Sequence, residues 1–124
     1  MKSQSRLCSL SNMVSETEQA STLLKILSNP DRLMLTRRLL ADGEKTRFDL
    51  NGETGLSLSA IDRHLQILRL AGIINVRHAQ GRALYSLFHQ LAREIILILF
   101  PDDPALEHNP EVELLRSSMG VLSE

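Results

Sequence analysis

Six polar side chains near the middle of this 124-residue chain have the types and spacing to read a nucleic acid. Ser57, Ser59, Arg63 and Gln66 follow closely on one another, and Arg77 and Arg82 flank the pair Gln80-Gly81. Arginine can pair in two-pronged fashion with guanine and glutamine with adenine, while serine hydroxyls suit phosphate oxygens. The plain alternative is a helix cap followed by a solvated polar face, and Ser57 suits a cap under either reading. Asp62 is discordant, because a carboxylate facing phosphate is repelled. It must accept from a cytosine amino group or turn toward Arg63 or Gln66. His64 is better read as a half-buried histidine tying its helix to a neighbour than as a ligand or pH switch.

Those side chains need a scaffold, and the chain from Thr46 to Leu87 supplies three signals in order. Leu50 and then Gly55-Leu56-Ser57 describe a short helix, a glycine turn and a cap. Ile61, Leu65 and Leu68 then recur at helical spacing, so one stripe of that helix must be buried. Beyond Gly72 the pattern changes to two short extended runs, Ile73–Ala79 and Arg82–Leu87, joined at Gln80-Gly81 as in a β-hairpin. Helix, turn, capped helix and basic hairpin together make a winged helix-turn-helix, a module that places its second helix in the DNA major groove.

Around this centre the punctuation predicts further helices. Ser15 with Glu18 is a capping-box pattern opening a helix to about Leu27, with Ala20, Leu23, Leu24 and Leu27 on one face. Asn29-Pro30 starts a second helix, ended by Asp42-Gly43, that buries Leu33, Leu35, Leu39 and Leu40. Thr46 and Asp49 cap the third, in which Asn51-Gly52 predicts fraying. A fifth helix is expected from His89 to Phe100, stopped by Pro101 and Pro104, and a sixth from Asn109-Pro110, carrying Val112, Leu115, Met119 and Leu122. The expected fold is mainly α with a small β-hairpin, in the order α-α-α-α-β-β-α-α. Residues 1–14 read as a loose arm, and 15–124 as one winged-helix domain with C-terminal dimerisation helices. Ile95–Phe100 is too apolar for a small monomer's surface, so a homodimer that buries this run is expected.

A net charge of −1 would by itself speak against nucleic acid, but the charges are segregated. Between Ala60 and Glu94 five arginines face only Asp62 and Glu94, whereas from Pro101 onward Arg116 stands alone against six carboxylates. A basic patch beside an acidic end fits one DNA-facing surface. Cys8 is the only cysteine, which excludes an intrachain disulfide and points to a reducing compartment. Without a basic neighbour better placed than Arg6 it reads as inert rather than as a redox sensor. No apolar run is long enough to span a bilayer and the first residues lack a signal-peptide pattern, so a cytoplasmic protein is expected. A glycine-rich phosphate loop, a nucleophile elbow and a paired-carboxylate pocket are all missing, which argues against an enzyme.

With these residues in view, the chain resembles the ArsR/SmtB family of winged-helix transcriptional regulators. The resemblance is carried by L-S-N-P-D-R-L (27–33), by the stretch from Leu50 to Ile74 with its S-x-S-x-x-x-x-H-L, and by V-R-H-A-Q-G-R-A-L-Y-S-L (76–87). It implies a symmetric dimer built from the first and fifth helices, which would place Leu23, Leu24, Ile95, Ile98 and Leu99 at its interface, together with a double-stranded, pseudo-palindromic DNA operator and a repressor released by an effector. Many members sense metals, through cysteines on the third helix or carboxylate and histidine ligands on the fifth. Here Thr46-Arg47-Phe48-Asp49 stands at the first place and His89 and Leu91 at the second, so neither metal site carries over and no cofactor is expected. A small-molecule effector would have a pocket that no motif marks. A winged helix serving only protein interaction, through Asp62 and the acidic C-terminal helix, is the competing function.

Overall fold

The computed structural model describes residues 16–107 and 109–120, so the expected arm (1–14), the Ser15 cap, Cys8 and Leu122 lie outside the described residues. Helix α1 covers residues 16–27 and turns at Ser28 into α2, Pro30–Asp42. The side chain of Asn29 accepts from the backbone N–H groups of Asp31 and Arg32, and Pro30 occupies the first turn, where no N–H is needed. Next come α3, Arg47–Thr54, and α4, Leu58–Leu70. Strands β1, Ile74–Ala79, and β2, Arg82–Leu87, form an antiparallel hairpin in which Ile74 faces Leu87 and Ala79 faces Arg82. Helix α5, Gln90–Leu99, follows with His89 as its cap, then α6, Pro104–Glu107, and α7, Pro110–Met119.

Two departures from expectation have local causes. Between Pro101 and Pro110 the chain makes a four-residue helix, α6, rather than a plain connection, because Leu106 is fully buried there. Among the described residues the order is therefore α-α-α-α-β-β-α-α-α, one helix more than expected. Helix α3 does not fray at Asn51-Gly52. Thr46 and Asp49 close a reciprocal capping box, Leu50 is fully buried, and Asn51 Nδ2 donates to the Leu56 carbonyl at 2.7 Å. Gly52 is exposed, so its lower helix propensity is a small loss against one buried leucine.

One core joins every helix to the hairpin. Leu23 and Leu27 of α1, Leu35 and Leu39 of α2, Leu50 of α3, Ile61, Leu65 and Leu68 of α4, Ile74 and Leu87 of the hairpin, Ile96 and Leu97 of α5, Leu106 of α6 and Val112 of α7 are all buried. Each such leucine or isoleucine contributes about 1.5–3 kcal/mol of apolar burial. At the end of α4, Gly72 takes a φ of +76° while the Ile73 N–H reaches back to the Leu68 carbonyl at 3.0 Å. That left-handed stop turns the chain directly into the wing. At the wing tip Gln80 and Gly81 both have positive φ, the geometry a two-residue hairpin needs. At its base Lys45 and Tyr85 exchange backbone hydrogen bonds of 3.0 and 2.8 Å, adding a bridge that the sequence pattern does not announce. Among the described residues no helix is long and apolar enough to cross a membrane.

Candidate nucleic-acid interface

Burial of Ile61, His64, Leu65 and Leu68 fixes which side of α4 faces outward. Ser59, Asp62, Arg63, Gln66 and Arg69 are all exposed, and their three- and four-residue spacing sets them on one face. Ser57 is the N-cap, its Oγ accepting from the Ala60 N–H at 3.1 Å, with Ser59 Oγ 3.4 Å away. Four of the six residues picked for DNA contact are thus gathered at the start and along the outer face of one helix. Arg63 and Arg69 have no carboxylate within ion-pairing distance among the described residues.

The discordant Asp62 turns neither to Arg63 nor to Gln66. Arg47, at the start of α3, holds it with two hydrogen bonds, Nε to Oδ1 at 2.7 Å and Nη2 to Oδ2 at 2.6 Å. That contact holds the Asp62 carboxyl below its ordinary range, and the Arg47 guanidinium also lies 4.9 Å from the Phe48 ring. The pair clamps the two helices of the helix-turn-helix together on their outer side and removes the repulsive charge from the face of α4. Sequence reasoning missed Arg47. A signal was present: a cation in a helix's first turn opposes the helix dipole unless a carboxylate answers it.

The wing arginines differ. Arg77 is tied to Glu44 by Nε to Oε2 at 2.5 Å and Nη2 to Oε1 at 2.8 Å, and this contact holds the Glu44 carboxyl below its usual range. Arg82, beside the tip, is exposed and has no ion-pair partner among the described residues; the Asp49 carboxyl feels its field without touching it. Of the two wing cations, only Arg82 is unengaged.

His64 is buried, as a helix tie should be. Its Nδ1 lies 3.4 Å from Arg32 Nη1 and its Nε2 3.7 Å from Asp31 Oδ2. A guanidinium can only donate, so Nδ1 accepts and the ring proton sits on Nε2. Burial, then the Arg32 charge, push its pKa below the ordinary imidazole value.

The five residues expected at a dimer interface divide. Leu23 belongs to the protomer's own core and Ile95 is partly buried against it, whereas Leu24 is 56% exposed, Ile98 60% and Leu99 53%. Leu91, Ile95, Ile98 and Leu99 fall on one stripe of α5, facing away from Ala92, Ile96 and Leu97. Phe88 just before the helix is also exposed. Helix α1 lies close by, since Leu23 and Ile26 share with Ile73 and His89 the wall of a hollow of about 400 Å³. At the start of α3, Thr46 and Asp49 spend their oxygens on the capping box. Among the described residues no three His, Cys, Asp or Glu side chains gather as metal ligands would.

Known proteins share this architecture. The sequence profile described as "Bacterial regulatory protein, arsR family" matches residues 29–76. The HTH-type transcriptional regulator YgaV of Escherichia coli (strain K12) is 34% identical over 90 residues, 73% of this chain and 91% of that protein. The solved structure of the transcriptional repressor BigR from Xylella fastidiosa matches with a TM-score of 0.65 at 28% identity, covering 73% of this chain and 92% of that one. The homodimeric winged helix-turn-helix DNA-binding domain of Mb0332 from Mycobacterium bovis matches with a TM-score of 0.64 at 26% identity, covering 80% and 92%. With its outward polar helix, its wing and these likenesses, the chain belongs to the arsR family of bacterial regulatory proteins and is a DNA-binding transcriptional regulator, not an enzyme.

Proposed function

We propose that this protein is a cytoplasmic repressor that binds an inverted-repeat operator as a homodimer and is released by an effector other than a metal ion. The observation that carries the reading is the outer face of α4, where Ser59, Arg63 and Gln66 are exposed and Asp62 is neutralised by Arg47. In this reading α4 lies in the major groove, Ser57 and Ser59 approach phosphates, and Arg63 and Gln66 reach base edges. Arg82 reaches phosphate or the minor groove from the wing tip. Dimerisation is supported by the exposed stripe on α5 with Leu24 nearby, and by the homodimeric relative. Independence from metals is supported by the chemistry at the start of α3, where Thr46 and Asp49 serve the helix cap and Arg47 serves Asp62.

The competing reading, a winged helix used only for protein contacts through Asp62 and the acidic C-terminal helix, loses one of its two contacts, because Arg47 already occupies the Asp62 carboxylate. Selecting bound fragments from a random duplex pool separates the two. Enrichment of an inverted repeat with half-sites about one helical turn apart, or a multiple of that, is expected of the repressor. Recovery of unenriched DNA at every round would refute it.

A further inference from the structure

A second cavity, of about 330 Å³, opens on the side of the fold where α2, the wing strand β2, α5 and α7 meet. Its size falls within the range of about 300–1,000 Å³ that small-molecule sites occupy. Leu39, Leu40, Leu87 and Phe88 make its apolar walls, and Arg93 of α5 and Glu111 of α7 also line it. The Arg93 side chain is only 16% exposed, which is unusual for a cation.

Arg93 is also underused. Its Nη2 meets Glu111 Oε2 at 2.7 Å, while its Nε is covered and has no hydrogen-bond acceptor. A side-on carboxylate would satisfy Nε and Nη2 together, as Asp62 does for Arg47 and Glu44 for Arg77. Glu111 engages one donor only, from a helix whose docking depends on Val112 and Leu115 rather than on this side chain. Glu111 is 60% exposed and can swing into solvent without undocking α7. The other carboxylate on the wall, Glu44, is already held by Arg77.

We infer that this cavity is a binding site for a small monocarboxylate with an apolar body, whose carboxylate takes the place of Glu111 on Arg93 and whose body lies against Leu39, Leu40, Leu87 and Phe88. A single guanidinium facing apolar walls suits one negative charge and leaves a phosphate dianion undercompensated.

The test uses the full chain with benzoate and hexanoate as probes and the uncharged benzamide and hexanamide as controls, followed by calorimetric titration. Saturable binding of at least one acid, with none of its amide, is expected. Glu111→Gln should tighten acid binding by about tenfold, because the internal competitor is removed. Arg93→Gln should abolish it and Arg93→Lys weaken it, which keeps the test valid if the glutamine variant folds poorly. Methyl resonances of Leu39 and Leu87 should shift on titration. The proposal is overturned if neither acid binds the wild type or Glu111→Gln, if amide and acid bind alike, or if Arg93→Lys binds as the wild type does. All of this is read on the free protein, so failure to bind DNA would not imitate failure of this site.

Discussion

The two wing arginines allow one experiment to separate a cation that is free for DNA from one that is not. Arg82→Ala removes a charge with no ion-pair partner among the described residues, once per chain and twice in the proposed homodimer. Each phosphate contact adds about 0.9 to the slope of log K against log salt, so the double loss should flatten that slope by about 1.8. Between about 50 and 200 mM salt this amounts to roughly a tenfold smaller loss of affinity for the variant than for the wild type. Arg77→Ala should change the slope far less, because Glu44 already balances that charge. Glu44→Gln should steepen it by releasing Arg77. Fluorescence anisotropy on the selected operator and on a scrambled duplex, at several salt concentrations, gives all the slopes. Flattening by Arg77→Ala with no effect of Arg82→Ala would refute the assignment from ion pairing.

Three further outcomes are expected. Ile98→Glu, on the exposed stripe of α5, should shift the particle mass in light scattering from dimer to monomer at micromolar concentration; an unchanged mass would remove that stripe from the interface. Arg63→Ala should cost about 1–3 kcal/mol of operator affinity and relax base preference within each half-site, whereas equal losses on operator and scrambled duplex would make it a phosphate contact. His64 has a folded pKa below its unfolded value, so its contribution is complete above the ordinary imidazole value of 6.5 and declines as pH falls below it. Denaturant midpoints measured from pH 7.5 down to 5 should therefore fall for the wild type and fall less for His64→Gln; parallel curves would show that the ring is not buried neutral.

Much of this was legible because the relevant signals are local. The 3.6-residue period of Ile61, Leu65 and Leu68 gave both the helix and its outward face, and Asn29-Pro30, Thr46-x-x-Asp49 and Asn109-Pro110 marked helix starts that the structure has. What stayed hidden depends on tertiary partners. The place of Arg47 at a helix start calls for a carboxylate, but nothing near it in the chain singles out Asp62, and nothing near Arg77 singles out Glu44, since each pair is made by separate elements packing together. Helix α6 escaped notice because a single turn between prolines has no periodicity, and Leu106 alone betrays it. Leu23 and Leu24 are adjacent in sequence and both apolar, yet one is core and the other surface. A stripe wider than its helix's core contact cannot be divided without the neighbours.

Asn109 does two jobs: its Oδ1 caps α7 through the Glu111 N–H, and its Nδ2 donates to the carbonyls of Leu40 and Ala41 at 2.9 and 3.2 Å. The carbonyls it serves belong to the last turn of α2, which lacks partners within its own helix. Donor and acceptors are 69 and 68 positions apart, so this is a long loop to close. During synthesis, helices α2 to α4 and the wing emerge and can pair before Asn109 exists. Until α6 and α7 dock, the end of α2 is left to water and the places of Leu106 and Val112 in the core stay open. A segment made after the wing therefore completes the core that earlier elements began, and the rate at which it docks bounds how soon a nascent chain hides its apolar interior.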